Sequence, residues 1–170
     1  MFTLVIGGAA SGKSEFAERH AASLPGGRVY LATMEPWDDE CRARIAKHRL
    51  ARAHRGFATV ERYTDLAGAS LPAGGSVLLE CMSNLVANEL YAPGGGGADA
   101  AVRGVETLLT RCAHLTVVTN EVFSGGRDYA GGTLRYLETL ARVNRILALR
   151  ADLAVEVVCG IPNVLKGAYP

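Results

Sequence analysis

Short apolar segments alternate with amphipathic segments along the whole chain. The apolar runs are rich in Val, Leu and Ile and end at glycine or polar residues, which is typical of strands buried on both faces of a sheet. The predicted strands are Phe2–Ile6, Arg28–Thr33, Phe57–Val60, Ser76–Leu79, Leu115–Thr119 and Ala154–Val158, and the residues after Val158 are predicted to form a tail.

The segments between the strands carry apolar residues at helical spacing. In the first of them the shared face consists of Phe16, Ala17, His20, Ala21 and Leu24. Further helices are predicted at about Asp38–Arg52, Met82–Tyr91, Asp99–Arg111 and Gly132–Arg150, with a short one at Leu66–Leu71. Because strands and helices alternate, we predict an α/β fold in which a mostly parallel central sheet has helices on both faces, in three α/β/α layers.

Length and charge exclude several classes of protein. The chain has 170 residues and a formal net charge of +1, so residues 1–170 are predicted to form a single domain without a basic surface for nucleic acid. It contains no apolar run long enough for a membrane span, and the first strand begins at once, which predicts a cytoplasmic protein without a signal peptide. The four cysteines form no C-x-x-C pair and are predicted to be buried thiols.

The segment Gly7–Ser14 connects the first strand to the first helix. It matches G-x-x-x-x-G-K-[ST], the phosphate-binding loop (P-loop) of nucleotide-using α/β proteins. In such a loop the backbone N–H groups and the helix N-terminus face the phosphates, Lys13 reaches the β- and γ-phosphates, and Ser14 binds Mg²⁺. The predicted phosphate contacts are Gly7, Gly8, Ala9, Ala10, Ser11, Gly12, Lys13 and Ser14. The sequence therefore predicts a P-loop NTPase-like domain that binds a nucleoside triphosphate.

Other polar residues follow the ends of the predicted strands, where ligands bind in parallel sheets. That edge is predicted to carry Gly7, Ala32–Met34, Glu80 and Asn120–Glu121. Glu80 stands where an acid can hold Mg²⁺ together with Ser14. Asp is more usual for this role, so a contact to nucleotide hydroxyls or base, and a merely solvated strand end, are also open interpretations.

A basic cluster occupies the later turns of the second predicted helix. His48 is followed by Arg49 and, one turn later, by Arg52. A neutral imidazole can attack phosphorus while two guanidiniums hold phosphate oxygens. Alternatively, Lys47 and the two arginines only complement the helix C-terminus and His48 is a surface residue. The residues alone favour the second interpretation.

The chain resembles the bifunctional adenosylcobinamide kinase/adenosylcobinamide-phosphate guanylyltransferase family of cobalamin biosynthesis. Beyond the P-loop, the most specific matches are R-I-x-x-H-R at Arg44–Arg49, L-E-C at Leu79–Cys81 and T-N-E-V at Thr119–Val122. Shorter matches are Tyr30–Thr33, Asp38–Glu40, Thr59–Glu61, Arg142–Asn144 and Gly160–Pro162. The resemblance therefore extends over nearly the whole chain.

This resemblance implies two reactions on one corrinoid substrate. The alcohol of adenosylcobinamide takes a γ-phosphoryl group from ATP or GTP, and the product then takes GMP from a guanylyl group on His48, giving adenosylcobinamide-GDP. It implies that His48 is a catalytic residue, in addition to Lys13 and to the Mg²⁺ position at Ser14 and Glu80 that the motif and the strand end predict. The further nucleotide contacts implied are Ala32, Thr33, Met34, Arg49, Leu50, Ala51, Arg52, Glu61 and Glu80. Enzymes of this family are ring-shaped homotrimers, so the resemblance also implies a homotrimer.

Two other functions stay open at this point. One is a plain P-loop small-molecule kinase in which His48 is a surface residue, and the other is a regulatory module whose bound triphosphate only sets its conformation. The family resemblance argues against the regulatory module. The loop Phe123–Tyr129 departs from the usual family pattern, so corrinoid binding by this loop is an open question.

Overall fold

The computed structural model describes residues 1–52, 54–125 and 129–169; the side chains of Glu40, Arg44, Lys47, His48, Ala51 and Arg52 lie outside that description. The strands are β1 (Phe2–Gly7), β2 (Arg28–Ala32), β3 (Phe57–Glu61), β4 (Ser76–Glu80), β5 (His114–Asn120), β6 (Leu153–Val158) and β7 (Ile161–Lys166). The helices are α1 (Lys13–Ser23), α2 (Asp39–Arg52), α3 (Met82–Tyr91), α4 (Gly97–Arg111) and α5 (Gly131–Arg150), and Leu66–Gly68 form a 3₁₀ turn.

The described strands form one sheet in the order β3-β2-β4-β5-β1-β6-β7. Strands β1 to β6 are parallel, and only β7 runs antiparallel, beside β6. Because the parallel strands point the same way, their last residues meet at one edge. There Gly7 is paired with Asn120, and Ala32 is paired with both Glu61 and Glu80. The predicted mostly parallel α/β fold is confirmed.

Helices cover both faces of the sheet. On one face, α3, α4 and α5 bury residues such as Leu85, Leu108 and Leu147. On the other, α1 packs Phe16 and Ala17 among strand side chains. Burial of each large apolar side chain contributes about 1.5–3 kcal/mol, so these contacts fix the three predicted layers. None of the helices described here is long and apolar enough to cross a membrane.

His20 lies on the inner face of α1, where the helical pattern predicts a packed residue. It is 2% exposed, its Nε2 is 3.1 Å from Thr3 Oγ1, and its ring is stacked with Phe16 and adjacent to Tyr169. Burial lowers the pKa of His20 below its usual value of 6.5, and the charge of His114 lowers it further. The folded protein therefore holds this imidazole neutral.

We expect the free energy of unfolding to fall as the pH drops below about 6.5. The unfolded chain binds the proton at a higher pH than the folded chain does, so the contribution of neutral His20 is fully present above the unfolded pKa and is lost below it. Urea titrations at about pH 7.5 and pH 5.5 measure this difference. It should shrink in His20→Gln and persist in His54→Gln, which changes an exposed histidine; an unchanged pH dependence in His20→Gln contradicts the assignment.

The last strand differs from the prediction of a tail. Cys159 and Gly160 adopt φ angles of 51° and 79° and form a two-residue turn that returns the chain alongside β6. Two positive φ angles match the twist of an antiparallel pair. Pro162 is tolerated because β7 is an edge strand. The prediction of buried cysteines was also wrong for Cys159, which is exposed in this turn.

Candidate nucleotide-binding site

The P-loop joins β1 to α1 at the edge where the parallel strands end. A Cβ on Gly7 would lie 2.5 Å from Ser11 Oγ and 2.7 Å from the carbonyl oxygen of Val157, so only glycine fits there. Gly12 has a φ of 89°, a left-handed conformation that also favours glycine. The N–H of Gly160 donates to the Ser11 carbonyl at 2.8 Å. The β6–β7 turn therefore supports the loop from behind.

Lys13 and Ser14 occupy the first two positions of α1. Lys13 Nζ donates to the carbonyl of Gly8 at 3.0 Å and so lies across its own loop. Ser14 Oγ donates to Glu80 Oε1 at 2.5 Å, which joins the P-loop to the end of β4. Glu80 is 9% exposed, and its buried Oε2 has no hydrogen-bond partner among the described residues. A hydroxyl beside a carboxylate with an unsatisfied oxygen is a donor set suited to Mg²⁺.

A pocket extends from the P-loop across the ends of β2, β3 and β4 and is bounded by α2. We call it the nucleotide pocket. The predicted site residues that line it are Lys13, Ser14, Ala32, Met34, Arg49, Glu61 and Glu80. A second cleft, outside the P-loop, is lined by Ala9–Glu15 together with Asn120 and Val122. The fold thus brings predicted site residues from five separate parts of the sequence to one place.

Arg49 and Glu61 form an ion pair across the nucleotide pocket, between α2 and β3. Tyr63 donates to the other carboxylate oxygen of Glu61 at 2.9 Å. Burial raises the pKa of Tyr63, and the bond to Glu61 raises it further, so the phenol remains a donor. Both members of the ion pair are more than one third exposed, so this contact adds little to stability. Because the pair is weak, a ligand can replace it: the guanidinium of Arg49 is suited to a phosphate group, and the carboxylate of Glu61 to a ribose hydroxyl.

Several predicted contacts lie elsewhere. Thr33 is fully buried, and its hydroxyl donates to the carbonyl of Cys81 at 2.7 Å. It therefore holds the end of β4 rather than lining the pocket. Leu50 is 74% exposed. The side chains of Ala51, Arg52 and His48 lie outside the described ones, so their predicted contacts are not assigned. The backbone of α2 carries His48 one turn after Ile45 and directly before Arg49.

Sequence reasoning did not assign several residues of the nucleotide pocket. They are Tyr30, Ile45, Thr59, Cys81, Asn84, Val118 and Asn120. The sequence predicts Asn120 at this edge but indicates no role for it. Asn84 carried a signal, because it lies in the first turn of the helix that follows Glu80. Burial raises the pKa of the Cys81 thiol, which favours its protonated form.

We expect Glu80→Gln to raise the Mg²⁺ concentration that nucleotide binding requires. The amide keeps the size of the side chain but removes the charge opposite Ser14, so the Mg²⁺ concentration needed for half-maximal triphosphate binding should rise about 10- to 100-fold. Calorimetric titration of GTP at several Mg²⁺ concentrations measures this shift. Glu138→Gln, an exposed change on α5, is the control. Equal Mg²⁺ requirements in wild type and Glu80→Gln contradict the metal assignment.

Comparison with known proteins gives consistent results over the full length. The CobU family, described as cobinamide kinase / cobinamide phosphate guanyltransferase, matches residues 3–165. The chain is 36% identical over 185 residues to the bifunctional adenosylcobalamin biosynthesis protein CobU of Salmonella typhimurium, covering 98% of this chain and 100% of the relative. Identity to the Escherichia coli CobU protein is 35% over 186 residues with the same coverage. Identity to the Pseudomonas aeruginosa CobP protein is 31% over 175 residues, covering 98% of both chains.

The structure is also similar to that of the flagellar accessory protein FlaH from Methanocaldococcus jannaschii. The TM-score is 0.51 at 13% sequence identity, and the match covers 99% of this chain and 81% of the other. At this identity the likeness concerns the fold alone.

Proposed function

The chain belongs to the cobinamide kinase / cobinamide phosphate guanyltransferase family, and from this premise we propose how its residues divide the two reactions. It is a kinase and guanylyltransferase of cobalamin biosynthesis. The observation that carries the proposal is that Lys13, Ser14 and Glu80 face the same pocket as Arg49 of α2, the helix that contains His48. One bound triphosphate can therefore be held for attack at either end of its phosphate chain.

In the kinase reaction, the primary alcohol of the aminopropanol arm of adenosylcobinamide attacks the γ-phosphorus of ATP or GTP. A bond forms between that oxygen and phosphorus, the bond to the β-phosphate oxygen breaks, and the alcohol loses its proton. Lys13 stabilises the charge on the β- and γ-phosphates, and the N–H groups of the P-loop hold them in place. ADP or GDP leaves.

Ser14 and Glu80 would hold Mg²⁺ for this step. Held there, the ion would supply positive charge to offset the negative charge of the phosphates. The hydrogen bond from Ser14 to Glu80 keeps both side chains at the phosphate end of the pocket, and the unsatisfied Glu80 Oε2 leaves a carboxylate oxygen available.

In the guanylyl transfer, a ring nitrogen of His48 attacks the α-phosphorus of GTP. A P–N bond forms, the bond to the β-phosphate bridge oxygen breaks, and pyrophosphate leaves. A phosphate oxygen of adenosylcobinamide phosphate then attacks the same phosphorus and releases His48. Two displacements replace one difficult transfer. Arg49, which lines the nucleotide pocket, binds the phosphate oxygens in this proposal as charge develops.

The test separates the two reactions by the position of the label. Wild-type protein is incubated with Mg²⁺ and GTP labelled at either the α- or the γ-phosphate, then denatured. We expect covalent label only from the α-position, stable in alkali and lost in acid, and we expect added adenosylcobinamide phosphate to remove it from undenatured protein. A plain kinase would show γ-phosphoryl transfer to adenosylcobinamide without any protein label, and this result would refute the guanylyl intermediate.

We also propose that the protein assembles in the cytoplasm as a homotrimer, as the family resemblance implies. The exposed apolar side chains at the edge of the sheet support contact with a second copy. They are Val158, Ile161, Val164 and Leu165. An unpaired apolar edge strand of this kind is usually covered by a partner.

We expect the double substitution Ile161→Asp with Leu165→Asp to dissociate the assembly. Each change places a charge on the exposed edge strand, where the contact would have to desolvate it. Light scattering coupled to gel filtration should give three times the chain mass for the wild type and the single-chain mass for the variant. Leu134→Asp in the first turn of α5 is the control. A wild type with the mass of one chain refutes the trimer, and a trimeric double variant refutes the role of β7.

A further inference from the structure

Asn120 ends the strand that lies between the two strands of the phosphate site. Strand β5 is flanked by β1, which leads into the P-loop, and by β4, which ends at Glu80. Asn120 is paired in register with Gly7, and the N–H of the next residue, Glu121, donates to the Gly7 carbonyl at 3.0 Å. Its side chain borders both the nucleotide pocket and the cleft outside the P-loop. It therefore lies beside the start of the P-loop and borders the pocket that Lys13 and Glu80 also line.

The amide of Asn120 is held in one orientation from behind. Its Nδ2 donates to Ser83 Oγ at 2.6 Å, and Ser83, in the first turn of α3, is 3% exposed. Its backbone carbonyl accepts from Asn144 Nδ2 at 3.2 Å, and Thr119 Oγ1 donates to Asn144 Oδ1 at 2.7 Å. Ser83 also forms a hydrogen bond with Tyr136. Burial raises the pKa of Tyr136 to about 12, so the groups around the amide of Asn120 are neutral. Helix α3 thus holds the side chain through Ser83, and α5 holds the backbone of the same residue through Asn144.

The fixed amide of Asn120 has one N–H group that its protein partner does not use. The nitrogen has two N–H bonds, and only one can point at Ser83. We propose that Asn120 is a further catalytic residue, which donates its second N–H to the terminal phosphate of the bound triphosphate, beside Lys13. Ser83 is then a positioning residue that keeps this donor aimed. The proposal rests on the proposed function for the assignment of the P-loop to phosphoryl transfer.

The donor should matter most when charge develops on the transferred group. In the kinase reaction the terminal phosphate is the group transferred, whereas in guanylyl transfer it leaves as part of pyrophosphate. Asn120→Ala should therefore lower kcat for γ-phosphoryl transfer about 10²- to 10³-fold. It should lower the rate of protein labelling by α-labelled GTP much less. Asn120→Asp keeps the shape but replaces a donor by a negative charge, and it should be at least as impaired.

Binding separates a catalytic role from a structural one. GDP lacks the γ-phosphate, so Asn120→Ala should bind GDP as the wild type does while losing affinity for a non-hydrolysable GTP analogue. Ser83→Ala should lower kcat by a smaller factor than Asn120→Ala, with GDP affinity retained. Ser23→Ala, which removes a serine hydroxyl at the end of α1, should leave both activities unchanged.

The outcomes distinguish this inference from the proposed function. If wild-type protein is labelled by α-labelled GTP but Asn120→Ala keeps kinase turnover within threefold, the role of Asn120 is refuted and the function stands. Equal losses of GDP and GTP-analogue affinity in Asn120→Ala also refute it, because they show a structural role. If wild-type protein takes no α-label but Asn120→Ala loses γ-phosphoryl transfer selectively, the guanylyl intermediate fails and the role of Asn120 is supported.

Discussion

Lys13→Ala is expected to abolish both phosphoryl transfer and guanylyl transfer, each by about 10³-fold or more. The ammonium is the P-loop cation that faces the β- and γ-phosphates, and these carry developing charge in both reactions: one bond breaks at the γ-phosphorus and the other releases pyrophosphate. Lys13 lines both the nucleotide pocket and the cleft outside the P-loop. Losing it therefore affects attack at either phosphorus.

The measurement uses γ-labelled GTP with adenosylcobinamide for the kinase and α-labelled GTP without acceptor for the protein label. Arg19→Ala, which removes an exposed cation from the same helix, should retain both activities. Thermal unfolding of Lys13→Ala should match that of the wild type, because Lys13 is a partly exposed residue at the edge of the sheet and not part of the apolar core. If Lys13→Ala lost one activity and kept the other, the two reactions would not share one triphosphate site.

The P-loop and the polar edge of the sheet could be predicted because both depend on local pattern. An apolar run of five residues, a glycine loop and a helical pattern follow each other without a gap in Phe2–Leu24. The rule that parallel strands end at one edge then places Glu80 near Ser14, although 66 residues separate them in sequence. Their hydrogen bond agrees with that expectation.

The strand order could not be predicted. The strands Ser76–Glu80 and His114–Asn120 both have apolar, buried central residues, so nothing local indicates that β5 lies between β4 and β1. That order alone places Asn120 beside Gly7, at the start of the P-loop. The role inferred for Asn120 therefore needed the topology.

Alternation along an extended segment explains the placement of Thr33. Successive side chains point to opposite sides, so Ala32 and Met34 line the nucleotide pocket whereas Thr33 turns into the core and bonds the carbonyl of Cys81. A run of matched residues thus contains both ligand contacts and structural supports. The Cys159–Gly160 turn was missed for a different reason, since Gly160 and Pro162 together resemble a chain end more than a strand start.

His48→Ala is expected to remove the protein label from α-labelled GTP, by about 10³-fold or more, while leaving γ-phosphoryl transfer within threefold of wild type. The imidazole nitrogen forms the P–N bond itself, and removing a nucleophile eliminates the covalent route entirely. The kinase reaction joins the substrate alcohol directly to the γ-phosphorus, so it needs no group on α2 as nucleophile. The two activities should therefore separate in this variant, whereas they fall together in Lys13→Ala.

A matched control and a rescue make this test specific. His54→Ala removes an exposed histidine that follows the same helix and should keep full labelling. Adding imidazole to His48→Ala supplies a nucleophile of the same chemistry, so part of the GMP transfer to adenosylcobinamide phosphate should return while the protein itself stays unlabelled. Alkali-stable label retained by His48→Ala would place the nucleophile elsewhere. Equal loss of kinase activity would mean that His48 serves triphosphate binding, because only a contact shared by both reactions can lower both rates alike.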